Sequence, residues 1–182
     1  MIPEETSLLV IDYQEKLMPA IEGALETLVA ASFLIKSFQA LGLPIAYSEQ
    51  NPERLGATVS EISALLDGCP RLSKMSFSCL GCSVFDSLPI GPSVVVCGVE
   101  SHVCVLQTTY DLLDNGFRVI VAEDACSSRR RRDHEAAVAT MRQWGALVLP
   151  SESIVYGLLR EAGTERFRAV LELVKEKDRL LA

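Results

Sequence analysis

Val94-Val95-Val96-Cys97-Gly98-Val99-Glu100-Ser101-His102-Val103-Cys104-Val105-Leu106-Gln107-Thr108 is the stretch whose reading decides the fold. Three valines and Cys97 form an apolar, β-branched run of the kind found in strands buried on both faces. Gly98 ends the run. Apolar residues then recur at Val103, Leu106, Tyr110 and Leu113, the spacing of one helix face, up to a stop at Asn115-Gly116. A strand, a sharp turn and a helix place Cys104 in the first helical turn, at the carboxyl end of a strand, where open α/β sheets put their ligands. Unpaired N–H groups and the positive end of the helix dipole favour a thiolate or an oxyanion there. Cysteine is also a small buried hydrophobe, so position alone leaves Cys104 as either nucleophile or packing.

Outward from this unit the chain alternates. Ser7 to Asp12 reads as a buried strand ending abruptly in an acid, and Leu17 to Leu41 as a long helical segment stopped by Gly42-Leu43-Pro44. Ile45 to Ser48 is a second strand, followed by a polar loop from Glu49 to Gly56. A weaker third strand spans Arg71 to Phe77 and carries Lys74, and Cys79 to Leu88 reads as a short helix. Downstream come a fifth strand, Phe117 to Ala122, closed by Glu123-Asp124, and a helix from Asp133 to Trp144. A sixth strand runs from Ala146 to Leu149, then a helix capped by Ser151 and another from Glu165 to Leu181. Regular alternation predicts a single α/β domain over residues 1–182, with a parallel sheet of these six strands and helices on both faces.

Composition narrows the function. The 182 residues carry a formal charge of −7, which speaks against nucleic acid or an anionic membrane as the main partner. With no basic-then-apolar leader and no uncharged apolar run of spanning length, the expected location is cytoplasmic and the expected partner a small-molecule substrate. The six cysteines (Cys69, Cys79, Cys82, Cys97, Cys104, Cys126) are then expected to be free thiols. Cys79-Leu80-Gly81-Cys82 has metal-site spacing, but no second pair follows and the chain has only two histidines. Arg129 to Arg132 reads as a solvated loop, with His134 in the same exposed stretch. His102, two residues from Cys104, does not face it on a turn or helix.

In a doubly wound sheet Asp12 and Cys104 lie at the ends of neighbouring strands, and Lys74 near a third strand can join them. Acid, cation and thiol are the set that acyl transfer needs. Leu9-Val10-Ile11-Asp12-Tyr13-Gln14, Lys74-Met75-Ser76-Phe77-Ser78 and Gly98 to Val105 resemble, in order, the three signatures of the isochorismatase-like cysteine hydrolases. Glu49-Gln50-Asn51-Pro52 and Glu123 to Arg129 resemble the branch of isochorismatase domain-containing proteins. The resemblance implies a single-domain Rossmann-like three-layer sandwich with a six-stranded parallel sheet, a catalytic triad of Asp12, Lys74 and Cys104, and a non-proline cis peptide that falls at Val99–Glu100, beside an oxyanion site with Cys104. By adjacency Tyr13, Gln14, Phe77, Glu100 and Ser101 are pocket candidates.

Metal-binding members of that family keep histidines in the loop after the second strand. The loop from Glu49 to Gly56 has none, so no metal and no cofactor are expected. A thiol nucleophile favours C–N bonds of amides, ureides or carbamates, cleaved through a thioester. The resemblance also implies a homo-oligomer. Two other classes keep the same fold: a catalytically idle scaffold, which predicts an inert thiol, and a redox sensor, which predicts reversible oxidation of Cys104 without turnover.

Overall fold

Six strands form one all-parallel sheet in the order β3-β2-β1-β4-β5-β6. They are β1 (Thr6–Ile11), β2 (Ile45–Gln50), β3 (Arg71–Lys74), β4 (Ser93–Val99), β5 (Arg118–Ser127) and β6 (Leu147–Leu149). The computed structural model describes residues 2 and 5–182. Helices α1 (Ala24–Leu41), α2 (Leu106–Asp114), α3 (Arg131–Gln143), α4 (Ser151–Leu159) and α5 (Glu165–Leu181) cover the sheet. Every residue of β1 and β4 is buried, as the continuous apolar runs predict for strands covered on both faces. The expected α/β fold with its six-stranded parallel sheet is the one observed.

The strand order reverses between β1 and β4, so the switch point lies where Ile11 faces Gly98. Backbones come unusually close there. A Cβ on Gly98 would stand 2.3 Å from the carbonyl oxygen of Ile11, and Gly98 has φ +150°. The pairing of β4 with β5 shifts register at the same place, between Val96 and Gly98. The glycine therefore re-aims the end of β4 at the point where the chain turns into the helix bearing Cys104.

Several boundaries differ from the sequence reading. Helix α1 begins at Ala24, because Met18–Ala20 form a 3-10 turn around Pro19 and Gly23 takes φ +65°. Strand β2 continues through Glu49 and Gln50, both buried. Glu49 accepts from the N–H and hydroxyl of Thr58, and Gln50 is paired to Gln14, so side-chain partners replace the loop expected there. Cys79–Gly81 and Phe85–Ser87 are two 3-10 turns rather than one helix. Strand β5 runs past Glu123-Asp124, since the carboxylate of Asp124 is taken by the N–H and hydroxyl of Ser151 and pairing with β4 resumes at Cys126. Ser151 is thus the first residue of α4 and not its cap, a position held by Pro150. Helix α1 comes nearest to a span-length apolar stretch, although Glu26 and Lys36 interrupt it. Its 18 residues have mean hydropathy 1.3, enough by length and composition to cross a membrane, but half of them are buried inside this fold.

Gly98→Ala is expected to destabilise the protein by about 3 kcal/mol or more, because backbone on both sides must move. Gly116→Ala, where φ is +82° and no atom lies within 4 Å, is expected to show the smaller loss due to backbone strain alone. Urea unfolding of the two variants measures the difference.

Candidate active site

The ends of three strands meet in one buried cluster. Asp12 follows β1 with φ +55°, Lys74 is the last residue of β3, and Cys104 lies in a π-helical turn, Ser101–Val105, that opens α2. Lys74 Nζ lies 2.7 Å from Asp12 Oδ2, and neither side chain has any exposed surface. Lys74 also donates to Gln50 Oε1 at 2.9 Å and to the carbonyl of Phe77 at 3.0 Å, which fixes its direction. The hydroxyl of Ser48 donates to Asp12 Oδ1 at 2.7 Å. Cys104 is 5% exposed and its thiol lies within the electrostatic reach of Asp12 and Lys74. Acid, cation and thiol thus lie near one another at the ends of the parallel strands.

Ionisation in the cluster is set by burial first. The Cys104 thiol is pushed well above the usual thiol range by burial, then by the Asp12 charge, with Lys74 pulling the other way. The resting sulfur is therefore a neutral thiol. The pull of the helix terminus toward a thiolate is thus outweighed by burial and by the Asp12 charge. Burial also acts to discharge Lys74, but Asp12 and the nearby Cys79 and Cys104 more than offset it and hold its pKa above the usual value. Two further thiols are closed off: burial pushes Cys79 up to about 11 and Cys97 up to about 12.

The peptide Val99–Glu100 is cis, at the position the resemblance implied. The carbonyl of Glu100 accepts from the N–H of Val103 at 3.0 Å and of Val105 at 3.3 Å, folding the turn tightly under Cys104. The carboxylate of Glu100 accepts from the backbone and Nε of Arg129. Ser101 is fully buried against His134, and His102 is bonded to Ser128, away from the thiol as expected. His134 itself is half-buried, not exposed as its neighbours suggested.

Not all pocket candidates reach the cluster. The hydroxyl of Tyr13 donates to the carbonyl of Ala125, and its ring lies among Cys97, Cys126 and Asp124. The Gln14 amide is consumed by backbone: it donates to Gln50 O and Gly56 O and accepts from Gln50 N–H. Both are buried braces. Phe77 lends the cluster its carbonyl, while its ring is half exposed beside the more exposed Met75. Sequence reading missed Ser48 and Gln50. The signal was present, since alternate residues of one strand share a face. It also missed Cys79 and Thr108: the Cys79 N–H donates to Thr108 Oγ1 at 3.1 Å, one helical turn beyond Cys104. Among the described residues no group of three or more His, Cys, Asp or Glu side chains could hold a metal ion.

Comparison with known proteins places this chain in a family. The model of the isochorismatase domain matches residues 6–153. Isochorismatase domain-containing protein 2A of Mus musculus is 38% identical over 178 residues, covering 97% of this chain and 85% of its own length. The secreted isochorismatase effector Isc1 of Phytophthora sojae is 37% identical over 189 residues, covering 97% of this chain and 87% of its own. The solved structure of MAR1 ribonuclease from Caenorhabditis elegans superposes with TM-score 0.90 at 36% identity, over 96% of this chain and 92% of that one.

The buried acids set a pH limit on stability. Cys79, Cys97, Cys104, Cys126 and Tyr13 all have folded pKa values above their ordinary ones. Below pH 8 they are protonated in both folded and unfolded chains and cost nothing. Once the unfolded thiols ionise, near pH 8.5, the unfolded chain binds fewer protons and folding stability falls. Melting temperature is expected to be flat from pH 7 to 8 and to drop steadily from about pH 9 upward, as scanning calorimetry can record.

Proposed function

Because the chain belongs to the isochorismatase family and has that family's hydrolase fold, we propose that it hydrolyses a C–N bond of a small amide, ureide or carbamate through a thioester on Cys104. The observation that carries this reading is the convergence of Asp12, Lys74 and the Cys104 thiol in one water-poor cluster, with Lys74 Nζ 2.7 Å from Asp12. Asp12 takes the thiol proton, and the thiolate attacks the carbonyl carbon. The oxyanion forms at the first turn of the helix, against the N–H groups of Cys104 and the Val99–Glu100 turn. Asp12 returns the proton to the nitrogen as the C–N bond breaks and the amine leaves. Water then gives a proton to Asp12 and its oxygen to the acyl carbon, the C–S bond breaks, and the thiol is restored. Lys74 stays charged throughout and holds the negative charge, first on Asp12 and then on sulfur. No metal or cofactor enters this sequence.

A second reading is RNA cleavage, favoured by the name of the nematode structure. Charge weighs against it. The net charge is −7, and the arginines of the basic run each lie near a carboxylate, Arg129 near Glu100, Arg130 and Arg132 near the shared Asp133, and Arg131 near Glu135. We also assign the protein to a reducing compartment, since all six cysteines are unpaired. It is further expected to self-associate: Tyr110 and Trp144 are both exposed, with their rings 5.1 Å apart. Light scattering at micromolar concentration is expected to give more than the monomer mass, and a monomer refutes this point.

The test of the main reading is a panel of amides, ureides and carbamates, with RNA alongside, followed by intact-mass trapping of an acyl-enzyme. Cys104→Ala is expected to lower turnover by about 10³-fold or more with little change in fold. Acrylamide, a small amide with an electrophilic β-carbon, is expected to modify native Cys104, with the half-buried Cys69 and Cys82 as internal references. Asp12→Asn is expected to leave Cys104 open to alkylation, since it removes the charge that raises the thiol pKa, but to abolish turnover because the proton carrier is gone. Label confined to Cys69 and Cys82, or RNA cleavage undiminished by Cys104→Ala, overturns the reading.

A further inference from the structure

Glu100, Ser101 and His102, the three residues between the strand end and the turn of Cys104, are each held by the segment from Ser128 to His134. Glu100 Oε2 accepts from Arg129 N–H at 2.9 Å and Arg129 Nε at 3.0 Å. Ser101 Oγ lies 2.8 Å from His134 Nδ1, and Ser128 Oγ lies 2.9 Å from His102 Nδ1. The segment is anchored in turn to the chain that follows Asp12. Glu22 N–H donates to Ser128 O at 3.1 Å, Ser127 Oγ donates to Glu22 O at 2.6 Å, and Arg131 N–H donates to Glu22 Oε2 at 2.8 Å. One short segment thus ties the base-bearing side of the cluster to the thiol-bearing side.

Resting on the reading of Cys104 as the nucleophile, we propose that His134 is a positioning residue, which holds the Cys104 turn in reacting geometry through Ser101. Of the three ties only this one is made by a fully buried residue of the turn to a side chain on a long helix, α3. Glu100 meets an arginine that is mostly exposed, where an ion pair contributes little. Ser101 has no solvent to turn to if its partner is lost or changes its hydrogen-bonding role. A neutral imidazole can accept from Ser101 or donate to it through Nδ1. The imidazolium can only donate, so protonation fixes the direction of the bond.

Groups on every side bear on that proton. Glu123 of β5 faces the ring, Glu135 and Arg131 lie on its own helix, and Glu22, Glu26 and Asp124 line the groove onto which it opens. Burial lowers the His134 pKa below its ordinary value, Glu123 and Glu135 act to raise it, and Arg131 adds to the lowering. The ring is therefore neutral at pH 7. Positioning is expected to weaken only in acid, as the ring gains its proton.

The experiment is the rate of acrylamide labelling at Cys104, referenced to Cys69 and Cys82, between pH 5 and 8. At pH 7.5 His134→Ala is expected to slow Cys104 about tenfold or more, and His134→Asn, which keeps a hydrogen-bonding atom near Nδ1 and does not titrate, to stay within about threefold of wild type. Below pH 6 the wild type is expected to lose labelling relative to His134→Asn. Ser101→Ala, which removes one oxygen, serves as a second probe should His134→Ala fail to melt cooperatively, and the double variant is expected to be no slower than the slower single one. Wild-type rates in His134→Ala, equal losses in His134→Ala and His134→Asn, or additive losses in the double variant overturn the proposal. A wild type that never labels at Cys104 overturns the nucleophile assignment and this inference together.

Discussion

An ammonium and a carboxylate 2.7 Å apart, both without exposed surface, are the contact on which the rest of the site depends. Charges sealed from water in this way are tolerated only as a pair, and removing one partner typically costs about 3–5 kcal/mol. Asp12 belongs to the end of β1 and Lys74 to the end of β3, with β2 lying between them. The pair therefore forms only when three strands are in register. Strand β2 contributes to the same knot through Ser48 on the acid and Gln50 on the cation. Gln50 is held by Gln14, whose amide also grips Gly56, so the β2 end and the loop after it are fixed by the same hydrogen bonds. Stability and site geometry are here one property.

The same burial decides how the chemistry begins. A helix terminus and a neighbouring lysine argue for a thiolate, but desolvation outweighs them and the sulfur keeps its proton. The negative charge beside Lys74 rests on oxygen. On this reading, activation moves an existing charge from Asp12 to sulfur and creates no new one in the low-dielectric interior, a smaller step than ionising an isolated buried thiol. It also leaves Cys104 unreactive toward stray electrophiles that do not fit the cluster.

Much of this was legible in the sequence, for physical reasons that differ by element. Val94 to Cys97 and Leu8 to Ile11 are covered on both faces, so their apolar runs are unbroken and read as strands at once. Asp12 and Cys104 stood out because each follows a strand, whereas Lys74 was carried inside a weak strand read as Arg71 to Phe77 that in fact ends at Lys74. What the sequence hid were positions decided by partners far along the chain. Glu49 and Gln50 look like loop residues until Thr58 and Gln14 satisfy them. Asp124 looks like a strand end until Ser151 takes its carboxylate, and His134 looks solvated until Ser101 is found 2.8 Å away. Tyr13 and Gln14 show the reverse error. Adjacency to Asp12 suggested a pocket, but residues that close on an extended or turning chain face different directions, and these two became braces.

Helix α1 carries a consequence for how the protein is made. Its apolar surface is covered chiefly by α5, by α4 and by β5, with Lys36 bonded to Glu176 and Lys177 lying 4.9 Å over the ring of Phe33. All of these partners lie far downstream. A ribosome therefore releases an 18-residue greasy segment near the amino end of the chain well before the cover for it exists. During that interval the nascent chain carries the same hydropathic mark as a membrane anchor. Its apolar face stays uncovered until more than a hundred further residues have been translated and the carboxyl-terminal helix can close over it.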